Sequence, residues 1–298
     1  MKLTHVLGRT WAIEGIQMMG LYKLDDSRCI LIDSGMLRER EALAQLLTDE
    51  GLTPVGVIST HIHLDHSINS GWLRETYGCP AAAPDAELFI CRSPATLKSY
   101  FHTCSPGTLE EHLGEMVSPV DCPIPDEEGV FSFCGVDFRI LPTPGHSPGH
   151  LCVITPDDVC CVGDAVLGRE MLSAAKMPYN YHFAGMLSSA QKLRALSCRR
   201  YIVAHREICD HIEPLVEGTC ALSHRRGEEI RALIRRPMTW GEVWQAVIDH
   251  FSLLTSRPFQ AALIERNLRS FVDWLIDRGE LRWYAQRGML YYAPRETE

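Results

Sequence analysis

The sequence predicts an α/β protein: two β-sheets covered by helices, followed by a small helical unit that ends in a hairpin. Three observations predict it. Short apolar runs alternate with turn residues over the first 55 residues and recur between 130 and 162. Helical periodicities lie between these runs and after them. Beyond about residue 216 the β-runs give way to amphipathic helices. β-runs followed by further β-runs separated by helices suit two sheets better than one doubly wound sheet. The chain is therefore divided into a body, 1–215, and an accessory unit, 216–298.

The elements follow in order. Gln17–Leu24 and Arg28–Ile32 read as adjacent strands joined by the turn Asp25-Asp26-Ser27, and Asp33-Ser34-Gly35 ends the second. Arg38–Glu50 carries Leu43, Leu46 and Leu47 at helical spacing and stops at Gly51. Val55–Thr60 is a buried-type strand, and a helix runs through the 70s after His66. Residues 84–117 are helix-like but broken by Pro94 and Pro106, and could cap a cleft. Strands are expected at Val130–Phe133, Val136–Leu141, Leu151–Thr155, Val159–Val162 and Arg200–Ala204, with a helix at Ser188–Ala195. In the accessory unit, Glu228–Arg235 reads as a short helix. Thr239 and Glu242 have capping-box spacing before the next helix, and Phe259–Arg278 ends at Gly279. Glu280–Tyr284 and Met289–Tyr292 flank Gln286-Arg287-Gly288 as a hairpin, so the unit reads as winged-helix-like.

Composition narrows the class. At 298 residues, 46% apolar and 22% charged, the chain is globular, and no apolar run reaches the roughly 18 residues that span a bilayer. The N-terminal segment holds no apolar stretch of the secretory type, so residence in the cytoplasm is expected, without a membrane partner. Twelve cysteines are scattered without a CxxC pair and read as buried reduced thiols. The net charge of −9 lies in the body, because residues 216–298 hold twelve arginines against eleven acidic residues. An acidic body argues against tight nonspecific nucleic-acid binding by that body, and the near-neutral accessory unit leaves nucleic acid open as a partner without favouring it.

The chemistry concentrates in Thr60-His61-Ile62-His63-Leu64-Asp65-His66, directly after a strand. His61 and His63 stand two apart, a spacing that sends both side chains to one side of extended chain. Asp65 and His66 enter the following turn and can face a second point. Further donors follow later strands: His146 after Pro142-Thr143-Pro144-Gly145, Asp164 after Val159–Gly163, and His205 after Arg200–Ala204. Imidazole nitrogen and carboxylate oxygen suit zinc, iron and manganese.

This pattern resembles the metallo-β-lactamase superfamily over roughly residues 5–210, through HIHLDH, GHSPGH, CVGDA, IVAH and the aspartate of ILIDSG. The resemblance implies an αββα sandwich and two divalent metal ions, zinc by default and iron or manganese otherwise. It implies that His61, His63 and His146 hold one ion, that Asp65, His66 and His205 hold the other, and that Asp164 bridges them. Asp33 would order the ligand loop by hydrogen bonding, and His150 would support the site without ligating. The glutamate that replaces His63 in flavodiiron proteins is absent. The tail, through Leu222–Arg226, Glu228–Ile230 and Thr239, looks like the winged-helix extension of β-lactamase-like proteins that include an endoribonuclease.

Two cations about 3.5–4 Å apart can share a water and lower its pKa toward 7. The expected activity is hydrolysis of an ester, thioester or lactone in a small molecule by that bridging hydroxide, with Asp65 orienting it or taking its proton. The alternatives are phosphodiester cleavage of single-stranded RNA and, further off, an iron-dependent oxidoreductase. Tyr179, Asn180, Tyr181 and His182 are candidate pocket residues, a tyrosine among them serving as an oxyanion donor. The accessory unit is expected to pack and form part of the cleft, or to join two copies in a homodimer; its four tryptophans read as core and interface.

Overall fold

A computed structural model describes residues 1–295 of the chain. The first half builds one mixed sheet. β1 (Lys2–Leu7), β2 (Thr10–Glu14), β3 (Met18–Lys23) and β4 (Arg28–Ile32) form an antiparallel meander. Asp25 makes the expected turn by accepting the backbone N–H groups of Ser27 and Arg28. α1 (Arg40–Asp49) packs Leu43 and Leu47 on the sheet and stops before Gly51, whose φ of 64° is left-handed. β5 (Thr53–Ile58) then pairs parallel to β4. After α2 (Ser70–Tyr77), β6 (Ala81–Pro84) pairs parallel to β5.

Next comes a helical excursion: α3 (Leu88–Cys91), α4 (Pro94–Tyr100) and α5 (Pro106–Leu113). The two prolines do not break helices here; they open them. Ser93 and Ser105 cap the N-termini, and a proline at the first turn lacks only a donor that had no partner anyway. β7 (Cys122–Ile124) closes the seven-stranded sheet, parallel to β6.

The second sheet has six strands in the order β13-β12-β11-β10-β9-β8. They are β8 (Gly129–Phe133), β9 (Val136–Pro142), β10 (Leu151–Ile154), β11 (Val159–Gly163), β12 (Arg200–Val203) and β13 (Glu207–Cys209). Every residue of β10 and β11 is buried, because both faces are covered. One face meets the first sheet, Ile30, Ile58 and Ala82 packing on Phe138, Val153 and Ile202. The other meets α7 (Phe183–Ala195) and α8 (Glu213–Leu233), through Ala190, Leu193, Leu215 and Val216. α6 (Arg169–Ala174) lies between β11 and α7 in the chain. The layers are thus helix, sheet, sheet, helix, the αββα sandwich. At one edge the sheets are tied by polar bonds: Leu151 N–H to the Thr60 carbonyl at 3.0 Å and Met18 N–H to the Ala204 carbonyl at 2.8 Å.

α8 departs from the expected short helix at 228–235. It begins at Glu213 with a proline in its first turn and crosses residues 215 and 216. Gly227 lies within it because a Cβ there would sit 2.5 Å from the Trp274 ring. Then come β14 (Met238–Thr239), α9 (Trp240–Phe251), α10 (Pro258–Asp277), β15 (Leu281–Gln286) and β16 (Met289–Pro294). The Thr239–Glu242 capping box forms as expected. The hairpin turns at Arg287-Gly288, and β14 joins it in a small sheet of order β14-β16-β15. Trp274 of α10 stacks on Phe183 of α7 and Phe271 meets it at a tilt, so this end of the chain packs directly on the body.

Candidate metal centre

The site lies at the tied edge of the sandwich, where strands of both sheets end. Asp33, just past β4, has a φ of 66°, a left-handed conformation that aspartate tolerates better than most side chains. Its carboxylate accepts the Thr60 backbone N–H at 2.7 Å and lies 2.8 Å from His66 Nδ1. With Nδ1 so engaged, His66 Nε2 faces inward, 3.3 Å from Asp164 Oδ1 and 3.7 Å from Asp65 Oδ2. Asp65 is steadied from the other side by Gln17 Nε2 at 2.7 Å.

The second sheet supplies the remaining donors. Gly163, at φ 54°, brings the end of β11 so close to His150 that a Cβ would lie 2.6 Å from its Nε2. His150 accepts the Asp164 backbone N–H there at 3.0 Å, while its Nδ1 meets Thr143 Oγ1 at 2.8 Å. Its neutral tautomer is therefore fixed with Nδ1 as donor, and burial holds its pKa well below the ordinary histidine range. Asp164 Oδ2 lies 3.3 Å from His146 Nε2, and Oδ1 lies 3.5 Å from His205 Nε2.

All seven sequence-derived donors thus converge. Five of them form two overlapping sets, His61, His63 and His146, and His61, His66 and Asp164, with donor atoms within 4.8 Å of one another in each, while Asp65 and His205 stand beside His66 and Asp164. The two oxygens of Asp164 face different groups, one toward His146 and the other toward His66 and His205. Burial keeps His61, His63 and His146 low in pKa and neutral, the form that binds metal. Burial also opposes charge on His66, but the carboxylates of Asp164, Asp33 and Asp65 outweigh it and hold its pKa well above the ordinary value. Burial acts to raise Asp164, yet His66, His205 and His146 hold it well below the usual carboxylate range. His61 Nε2, His66 Nε2 and Asp164 Oδ1 are buried without a well-aligned hydrogen-bond partner, a costly arrangement unless a cation completes it. The residues present fit divalent metal.

Several contributing residues escaped the sequence reading. Glu87, fully buried, accepts the Ile62 N–H, the Ser147 hydroxyl and the Gly149 N–H. One carboxylate thereby clamps the His61–His66 loop to the His146–His150 loop. Burial raises its pKa against the pull of those donors. Tyr100 Oη lies 3.1 Å from His63 Nε2, and His63 Nδ1 lies 3.0 Å from His146 Nε2. Their only signal in the sequence was a helix-like stretch that could cap a cleft.

Four residues suggested as pocket walls separate in space. Tyr179 lines a cavity of about 190 Å³ with His63, Asp65, His146, Asp164, Phe101 and Leu263. Asn180 is buried, its backbone N–H turned to Asn267 Oδ1. His182 Nδ1 accepts the Gly185 N–H and caps α7. Tyr181 and His182 line a second, larger cleft.

A family model described as the metallo-beta-lactamase superfamily matches residues 13–205. A protein named atrochrysone carboxyl ACP thioesterase, from Cryptosporiopsis sp., is 28% identical over 114 residues, 38% of this chain and 33% of that protein. Hydroxyacylglutathione hydrolase 1 of Vibrio vulnificus is 24% identical over 190 residues, 63% of this chain and 62% of that protein. The matches to the curated relatives commonly span about half of their length. A crystal structure of a metallo-beta-lactamase family protein from Thermus thermophilus superposes with a TM-score of 0.71 at 22% identity, over 94% of each chain.

Proposed function

Because the chain belongs to the metallo-beta-lactamase superfamily, we propose that it is a dinuclear metal-dependent hydrolase that transfers an acyl group from an ester, thioester or lactone to water. The observation that carries this reading is Asp164, whose two oxygens face separate donor groups, Oδ1 among them without a well-aligned hydrogen bond. His61, His63 and His146 would hold one ion, and Asp65, His66 and His205 the other. Bound divalent metal supplies a Lewis acid and a water acidic enough to attack near neutral pH, zinc being the default and iron or manganese allowed.

The chain's own residues supply the rest. Asp65, held by Gln17, is placed to take a proton at the pocket wall. The Tyr179 hydroxyl is buried without a well-aligned partner, and burial raises its pKa, so it stays protonated. It can donate to the oxygen on which negative charge develops. Phe101 and Leu263 give the same cavity an apolar wall that excludes water from the acyl chain.

The two named relatives support acyl chemistry over phosphodiester chemistry, since one is called a thioesterase and the other an acylglutathione hydrolase. The reading assigns residues 1–215 to catalysis and 216–298 to a winged-helix-like accessory unit that closes the cleft, with Leu263 its contribution to the pocket. The test is turnover by metal-replete protein of hexanoyl-N-acetylcysteamine, a lactone and a single-stranded RNA. Thioester or lactone cleavage abolished by a chelator and restored by zinc is the expected result. Cleavage of RNA alone would overturn it.

A further inference from the structure

Arg266 of α10 is only 4% exposed, and its Nη1 and Nη2 are buried without a well-aligned hydrogen-bond partner. Its guanidinium carbon lies 3.9 Å from the Tyr100 ring centroid, 4.8 Å from that of Phe101, 5.8 Å from Tyr179 and 5.9 Å from Tyr181. The pull of the cation on the Tyr100 hydroxyl offsets only part of the burial that pushes this phenol up. One turn further on, Arg269 behaves differently: it pairs with Glu265 at 3.0 Å and lies over Trp240. Cation–π contact returns only part of the cost of burying a charged guanidinium without a counter-ion. A side chain held this way is complementary to something that arrives charged.

Its place says what. Arg266 lines a cleft of about 850 Å³ that also meets Tyr100, Tyr181, Asp273 and Asp277. Tyr100 touches His63, and Tyr179, which shares the same cation, lines the metal-side cavity. The rings around Arg266 thus contribute to the walls of both cavities, Tyr100 and Tyr181 to one and Phe101 and Tyr179 to the other.

We propose that Arg266 receives a carboxylate borne by the substrate away from the bond that is cleaved. The substrate class is then a carboxylate-bearing ester or thioester, an assignment that rests on the acyl-hydrolase reading. The planar fork, with neither Nη1 nor Nη2 holding a well-aligned partner, matches a carboxylate in bidentate fashion. One buried positive charge is neutralised by one negative charge. A phosphate dianion would bring a second negative charge to a cleft that also holds Asp273 and Asp277 and whose other arginine, Arg269, is already paired with Glu265.

The test uses metal-replete, full-length protein, with glutarate as binding probe and glutaryl- and hexanoyl-N-acetylcysteamine as paired thioesters. The expected kcat/KM is at least about tenfold higher for the glutaryl thioester. Arg266→Met should lower that ratio, and the calorimetric affinity for glutarate, by about 10- to 100-fold. Arg266→Lys, keeping charge but not the fork, should fall between. Arg266→Met should melt no lower than the wild type, since a buried unpaired charge gives way to an apolar side chain. Glutarate affinity and substrate ratio unchanged in Arg266→Met would overturn the proposal, as would tighter, Arg266-dependent binding of inorganic phosphate. If both thioesters are cleaved equally well by the wild type, the carboxylate site falls and the hydrolase reading stands. If neither is cleaved while glutarate still depends on Arg266, the hydrolase reading falls and the site stands.

Discussion

His66 Nδ1 and Asp33 Oδ2 lie 2.8 Å apart, and both side chains are buried. The contact turns His66 Nε2 toward Asp164 and Asp65. Asn also tolerates the left-handed φ of position 33, so Asp33→Asn removes charge while sparing the backbone. The expected result is a 10- to 100-fold loss of metal affinity, measured by competition with a chelator. An unchanged affinity would show that Asp33 does not order the site.

Asp164→Ala is expected to lose both ions together, because its two oxygens face separate donor groups. Elemental analysis after metal loading checks this. One ion retained in full would mean that the carboxylate serves a single site.

Glu87→Gln should destabilise the fold by about 1–3 kcal/mol, the cost of a buried donor left unmet. The carboxylate receives three donors, and an amide nitrogen would face one of them. Urea melts of the metal-free and metal-loaded protein measure it, and a melt equal to wild type in both states would contradict the clamp.

Arg74 holds the Asp121 carboxyl below the ordinary carboxylate value of 3.8, through two contacts of 2.9 Å. A lowered pKa means that the unfolded chain binds more protons, so this stabilisation is present above about pH 4 and fades as pH falls further. The pair is part-exposed, so Asp121→Asn should cost only about 0.5 kcal/mol at pH 7, with the gap narrowing near pH 3.5. A gap independent of pH would remove the ion pair as its cause.

Much of this was legible because neighbours in sequence are neighbours in space. His61, His63, Asp65 and His66 occupy one loop, and His146, Asp164 and His205 each follow a strand recognisable by its apolar run. Glu87, Tyr100 and Arg266 were not legible, since their meaning lies in partners far along the chain. Pro94 and Pro106 misread as breaks because a proline signals a helix start only when its capping serine is counted. Gly218 and Gly227 diluted the helical signal of α8, although Gly227 is dictated by the Trp274 ring from another helix.

The two cross-sheet bonds at the site edge also govern how the sandwich opens. Across the middle of the sandwich the sheets meet through apolar side chains, which resist separation without direction, and at the far end Thr10 of the first sheet meets Thr155 and Asp157 beyond β10 of the second. At the edge, parting the sheets breaks Leu151 N–H from Thr60 and Met18 N–H from Ala204. These two amides are therefore reporters of one motion, and hydrogen exchange at them reads the free energy of unzipping the seam. Since donors from both sheets meet there, a loaded centre should slow exchange at both positions together while leaving the β15–β16 hairpin unchanged.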